Sequence, residues 1–172
     1  VPLTLFLKLC LFQAKPQDLP FSAPLLAGAL ALNFAVDVAS LLRRYDLGQS
    51  LLGALLSTGL LMVFTYAVMR VRSTQSRTVQ TLTALAGSGA TFSAVALVAL
   101  LPFSVSAPTP AATLVWLLFL AWAIAVYGHV LRHALDVPWF IAAAVAFLYL
   151  DVSIGLLNVV LESPALPEVE VP

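Results

Sequence analysis

Charge is what this sequence has least of. Of its 172 residues only 9% are Asp, Glu, Lys or Arg, eight basic against eight acidic, with no net charge. A soluble domain carries about 25% charged residues, so an ordinary water-soluble fold is excluded. With so few basic residues there is no electrostatic footprint for nucleic acid. The single cysteine, Cys10, rules out an internal disulfide and thiol-pair redox chemistry. It sits in FLKLCLF, without the small residues a lipoprotein cleavage site needs, and reads as a buried or lipid-facing small hydrophobe. Catalytic motifs are missing too: there is no G-x-S-x-G, no P-loop and no Cys-His arrangement. Gly87-Ser88-Gly89 lies inside an apolar run, where close packing explains it. No enzyme activity and no cofactor are implied.

What the chain has is apolar length. It is 62% hydrophobic, and its apolar runs come in lengths that cross a bilayer, for which about 20 residues suffice. The pattern predicts one all-α membrane domain over residues 1–172, a polytopic bundle of five transmembrane helices at about 24–42, 49–69, 79–101, 111–131 and 137–161. Residues 1–15 are apolar but too short to span, with Thr4, Lys8 and Lys15 near one face and Pro16 as a stop. They predict an amphipathic helix lying at the membrane interface rather than a signal peptide, since no A-x-A-like site follows. Ser22 and Pro24 are suitable chemistry for the start of the first span. Ser50, Gly53 and Ser57 in the second span, and Thr83, Gly87 and Thr91 in the third, form small-residue seams that let helix backbones approach closely. Residues 162–172 form an acidic, Pro-rich tail.

Two spans carry polar stripes. Asn33, Asp37, Ser40 and Arg44 recur at four, three and four, and so do Asp151, Gly155, Asn158 and Glu162. Those offsets place each set on one helical face. A carboxylate at mid-span costs roughly 2.5–3.5 kcal/mol on insertion scales, so each stripe is expected to face other helices, of this chain or of a partner. Proton or ion handling by Asp37 and Asp151 is the alternative, because intramembrane acids also mark such pathways. A third grouping, His129, His133 and Asp136, shares a face at a spacing that can hold a divalent metal. HVLRH lacks the metalloprotease glutamate, however, and a headgroup-facing helix end beside Arg132 is the plainer account. Trp116, Tyr127, Trp139 and Tyr149 read as interface anchors and packing.

Orientation follows from the basic residues. If the arginine-rich loop over 70–78 faces the cytoplasm, Lys8, Lys15, Arg70, Arg72, Arg77 and Arg132 gather there, and only Arg43 and Arg44 lie opposite. The positive-inside rule then gives a cytoplasmic N-terminus and an outer C-terminus.

A short amphipathic N-terminal segment, the Pro-rich entry KPQDLPFSAP and five closely spaced spans resemble the Ypt-interacting-protein (Yip) domain family, whose small bacterial members are similar in size. The resemblance implies a non-enzymatic membrane protein that organises or binds other membrane components. Eukaryotic members are associated with vesicle trafficking and small GTPases, but this chain lacks the long cytoplasmic N-terminal region many of them have. The short loops and Ala/Leu-rich spans look bacterial. The expected role is therefore a scaffold or accessory subunit of a larger assembly in the bacterial inner membrane, whose partners are the lipid bilayer and other integral membrane proteins. A small proton-coupled carrier is the alternative.

Overall fold

Each helix begins and ends on a local signal. The computed structural model describes residues 2–104 and 109–161. In it α1 runs Pro2–Cys10, α2 Ala23–Leu41, α3 Leu47–Val71, α4 Thr78–Leu100, α5 Pro110–Leu135 and α6 Trp139–Leu161. Single turns of 3-10 helix lie at Pro16–Asp18 and Gln75–Arg77. Ser22 caps α2 by accepting the Leu25 backbone N–H at 3.3 Å, with Pro24 in the first turn. Asp46 accepts from Gln49 at 2.8 Å to start α3, and Thr109 accepts from Ala112 at 3.2 Å to start α5. Such oxygens satisfy N–H groups that the first turn of a helix leaves unpaired.

Three helix ends share one device. Phe12, Ser73 and Asp136 have φ of 60°, 57° and 53° and follow α1, α3 and α5. The next residue in each case reaches back five positions: Gln13 to the Lys8 carbonyl, Thr74 to that of Met69 and Val137 to that of Arg132. This is the Schellman closure of a helix by a left-handed residue. It also explains why α1 stops at Cys10 although the apolar pattern runs on towards Lys15.

α2 to α6 are long and apolar enough to cross a membrane, and the protein is a multi-pass membrane protein. The short connections make successive spans antiparallel. One end of the bundle, here the proximal end, carries the N-terminal segment, the 72–77 connection and the 136–138 turn. The distal end carries the 42–46 turn and the loop after α4.

The core is organised around α4. Every residue over 81–90 is buried, and the helix packs against α1, α2, α3 and α5, while α6 covers α5 and α3. Its hydroxyls do not bridge helices. Thr81, Thr83, Ser88 and Thr91 donate to the carbonyls of Arg77, Val79, Ala84 and Gly87, four residues back, at 2.6–2.9 Å. Satisfied within their own helix, these residues serve as small surfaces for close packing. Gly87 receives the ring of Phe6, and a Cβ there would collide with it. Gly128 of α5 does the same for α6, since a Cβ would stand 3.2 Å from the Ala143 Cα.

α1 docks on the bundle by Phe6, Leu9 and Cys10, all buried, and turns Thr4, Leu7 and Lys8 outward. The segment that follows is held by side chains from α4 and α5. Trp122 Nε1 donates to the Cys10 carbonyl at 3.1 Å and Gln80 Nε2 to that of Leu19 at 2.7 Å. His129 Nε2 lies 2.9 Å from the Ala14 carbonyl, and Gln17 Nε2 donates to the His133 carbonyl at 2.8 Å. These bonds pin the entry KPQDLPFSAP across the proximal end.

Candidate functional site

The two acids at mid-span have opposite fates. Asp37 of α2 is turned into the bundle. Asn33, buried one turn earlier, donates Nδ2 to its carboxylate at 3.0 Å, and Ser57 of α3 supplies a second hydrogen bond. Tyr127 of α5 and Tyr149 of α6 are buried within electrostatic reach of the same carboxylate. Gly89 of α4 makes room for this group, because a Cβ there would meet Tyr127 Oη at 2.5 Å and Asn33 Oδ1 at 3.2 Å. Ser153, also buried, hydrogen-bonds Tyr149. All five spans thus contribute to one polar cluster around Asp37.

Of the two roles expected for the aromatics, interface anchor and packing, the two tyrosines take packing. Both lie inside, in a continuous row of rings. Phe64 and Tyr149 have centroids 4.6 Å apart, Tyr149 and Tyr127 5.8 Å, and Tyr127 and Phe92 5.9 Å. Trp122 follows at 6.2 Å from Phe92. Such contacts add about 0.5–1.5 kcal/mol each beyond burial. Trp116 and Trp139, by contrast, are exposed.

The predicted first stripe breaks at its end. Ser40 donates to the Val36 carbonyl at 2.8 Å. α2 stops at Leu41, and Arg44 lies beyond it with its guanidinium 5.7 Å from the Tyr45 ring centroid. The residue with a structural task here is Arg43, which sequence reading treated only as a topology marker. Its Nη2 donates to the carbonyls of Leu100 at 2.9 Å and Phe103 at 3.0 Å, closing the C-terminal end of α4.

Beside Arg43 the bundle is open. A cavity of about 480 Å³ between α2, α5 and α6 includes Arg43, Arg44, Leu100 and Asn158 in its wall. A second, of about 330 Å³, continues between α4 and α5 down to Phe92 and Leu150. Ser40, Arg43, Leu100, Trp116 and Ile154 line both, so the two form one distal groove. Its floor adjoins the layer of Tyr127 and Tyr149.

The second stripe does not face the bundle. Asp151, near the middle of the 23-residue α6, is exposed, as are Gly155 and Asn158 on the same face. No atom lies within 4 Å of where a Gly155 Cβ would be. Of the two placements expected for this stripe, against this chain's own helices or against a partner's, Asp151 and Gly155 do not take the first, and Asn158 borders the distal groove: α6 presents its inner face through Ala142, Ala146, Tyr149 and Ser153. Glu162, the last member of the stripe, lies outside the described residues, as does the tail.

His129, His133 and Asp136 do not converge. His129 is engaged with the Ala14 carbonyl, its ring stands edge-on to His133 at 4.8 Å, and Asp136 is the left-handed residue after α5. Among the described residues no group of three or more His, Cys, Asp or Glu is placed to hold a metal.

No family model matches this chain, and no curated protein or solved structure matches it either.

Proposed function

We propose that this protein is a non-enzymatic integral membrane subunit that joins a larger assembly of the bacterial inner membrane through the Asp151 face of α6. The observation that carries this is the contrast between the two mid-span acids. Asp37 has Asn33 and Ser57 to serve it, whereas Asp151 is exposed on the outside of the bundle. A carboxyl facing acyl chains costs about 2.5–3.5 kcal/mol. A hydrogen-bond donor on a neighbouring protein's helix would remove that cost. The open surface at Gly155 lets a second backbone come close, and Asn158 adds a donor and an acceptor one turn further on. The connections between spans are short and offer no platform for a soluble active site. The resemblance to small Yip-domain proteins points the same way, as does a cytoplasmic N-terminus inferred from the basic residues.

The test is a photo-reactive residue placed at Val152 or at Leu114, an exposed position on α5, in cells. Cross-linking should trap one stoichiometric membrane partner from position 152 and not from position 114, and Asp151→Leu should abolish it while the purified protein keeps its melting temperature. A chain that leaves the native membrane in mild detergent as a lone monomer, with no adduct from position 152, would sink the proposal.

One observation favours a carrier instead: the Asn33–Asp37–Ser57 cluster lies next to a groove open at the distal end. Asp151 lies on the outside, so this alternative rests on Asp37 alone. Proton-coupled uptake into liposomes that disappears in Asp37→Asn would establish it.

A further inference from the structure

We infer that the distal groove is a binding site for an anionic amphiphile, a membrane lipid or lipid-like acid whose chain lies between α4, α5 and α6 and whose acidic head sits at Arg43. The site borders the α6 face at Asn158 but does not depend on the subunit proposal.

Volume is the first argument. The two connected cavities, about 480 and 330 Å³, together fall in the range of ligand sites, roughly 300–1,000 Å³. The second is open to the surface on one side. It runs inward past Ala96 and Leu97 to Phe92 and Leu150, and its walls suit an acyl chain.

Charge is the second. Arg43 lines both parts, and among the described residues neither lining contains an acidic one. The end of α4 would ordinarily repel an anion, because the last carbonyls carry the negative end of the helix dipole. Arg43 covers two carbonyls there, and both bonds leave from Nη2. The guanidinium keeps its charge and its Nη1 and Nε N–H groups, which are single donors to an oxygen of a phosphate or carboxylate.

Trp116 lines both cavities and supplies the readout. The protein would carry Trp122→Phe and Trp139→Phe and be held in nanodiscs of zwitterionic lipid. Phosphatidic acid with brominated acyl chains is then titrated in, and quenching of Trp116 is followed. Saturable quenching is expected with this probe and not with phosphatidylcholine bearing the same chains. Arg43→Gln should weaken binding about tenfold or more, as loss of a charged hydrogen bond implies, and Arg43→Lys should weaken it less. Ala96→Phe fills the groove without touching Arg43 and should remove the saturable component while helicity and melting temperature are kept. It serves as the decisive variant if Arg43→Gln misfolds. Competition by millimolar inorganic phosphate would assign the site to a free oxyanion and overturn the lipid. Equal, non-saturating quenching by the two lipids, or unchanged binding in Ala96→Phe, would overturn the site altogether.

Discussion

The ring of Phe6 occupies the space that a side chain on residue 87 would need. α1 can therefore lie on α4 only because residue 87 is glycine. Gly87→Ala should displace the ring and cost about 1–3 kcal/mol, the usual range for overpacking. Thermal unfolding in detergent would read this, and limited proteolysis over residues 11–22 should speed up as α1 detaches. Adding Phe6→Leu should restore part of the loss. If Gly87→Ala alone melts like the parent, α1 is not seated as described.

Asp37 is held by donors, so the shape of its replacement decides the outcome. Asp37→Asn keeps an oxygen where Asn33 Nδ2 and the Ser57 hydroxyl point and should leave the melting temperature close to the parent. Asp37→Leu strands both donors, which costs about 1–3 kcal/mol for each buried polar group left unpaired. A scan in which the leucine variant is the more stable would show that the cluster does not hold the spans together.

Ser73 pays for its backbone. With φ of 57° it stands in the left-handed region that costs a residue with a Cβ about 1–2 kcal/mol and glycine little. Ser73 is exposed, so Ser73→Gly should stabilise the protein by several tenths of a kcal/mol or more without touching another contact. Chemical denaturation in mixed micelles would measure the gain, and a loss of stability would contradict the assigned helix ending.

Cys10 is buried beside α4, its Sγ 3.5 Å from the Ser88 carbonyl, and burial pushes the thiol from about 9.0 up to about 11. Alkylation proceeds through the thiolate, so the folded protein should react slowly with iodoacetamide at pH 8. The rate should keep climbing with pH where a peptide thiol, titrating near 8.5, has levelled off. A group whose pKa is raised by folding stabilises the fold below its unfolded value. That contribution is intact below about 8.5 and fades as pH rises towards about 11. Rapid alkylation at pH 8 without denaturant would mean that α1 is undocked.

The five spans were legible because length and composition alone decide whether a helix can cross a membrane. The predicted span over 24–42 is α2, Ala23–Leu41, and that over 79–101 is α4, Thr78–Leu100. The polar side of α2 around Asn33 and Asp37 was legible as well, since two polar groups one turn apart must share a face. What could not be read was which face of α6 turns inward. A helix apolar all round gives no periodic signal to distinguish a lipid-facing side from a protein-facing one. The stripe of Asp151, Gly155 and Asn158 looked internal by cost, but the bundle chose the alanines and Tyr149. Which aromatics would pack inside and which would anchor at the interface was hidden for a related reason: a tyrosine belongs at the interface by average preference, and only tertiary contacts could place the hydroxyl of Tyr127 beside Asn33 and that of Tyr149 beside Ser153. Gly89 had left a trace, one of two glycines flanking Ser88 in the most buried helix.

The bonds that hold the N-terminal segment have a consequence for the order in which the molecule is made. Cys10 meets Ser88 and Trp122, 78 and 112 residues later in the chain, and Ala14 and Gln17 meet residues 115 and 116 positions away. Synthesis delivers residues at about 5–20 per second, so α1 leaves the ribosome several seconds before its seat on α4 and α5 exists. Until then it is a nine-residue helix, too short to cross a bilayer, and it lacks its seat. Only when the fourth span has been released does it find Gly87 and the α5 side chains. Among these elements the first made is thus among the last to settle, and its docking reports that the spans behind it have assembled.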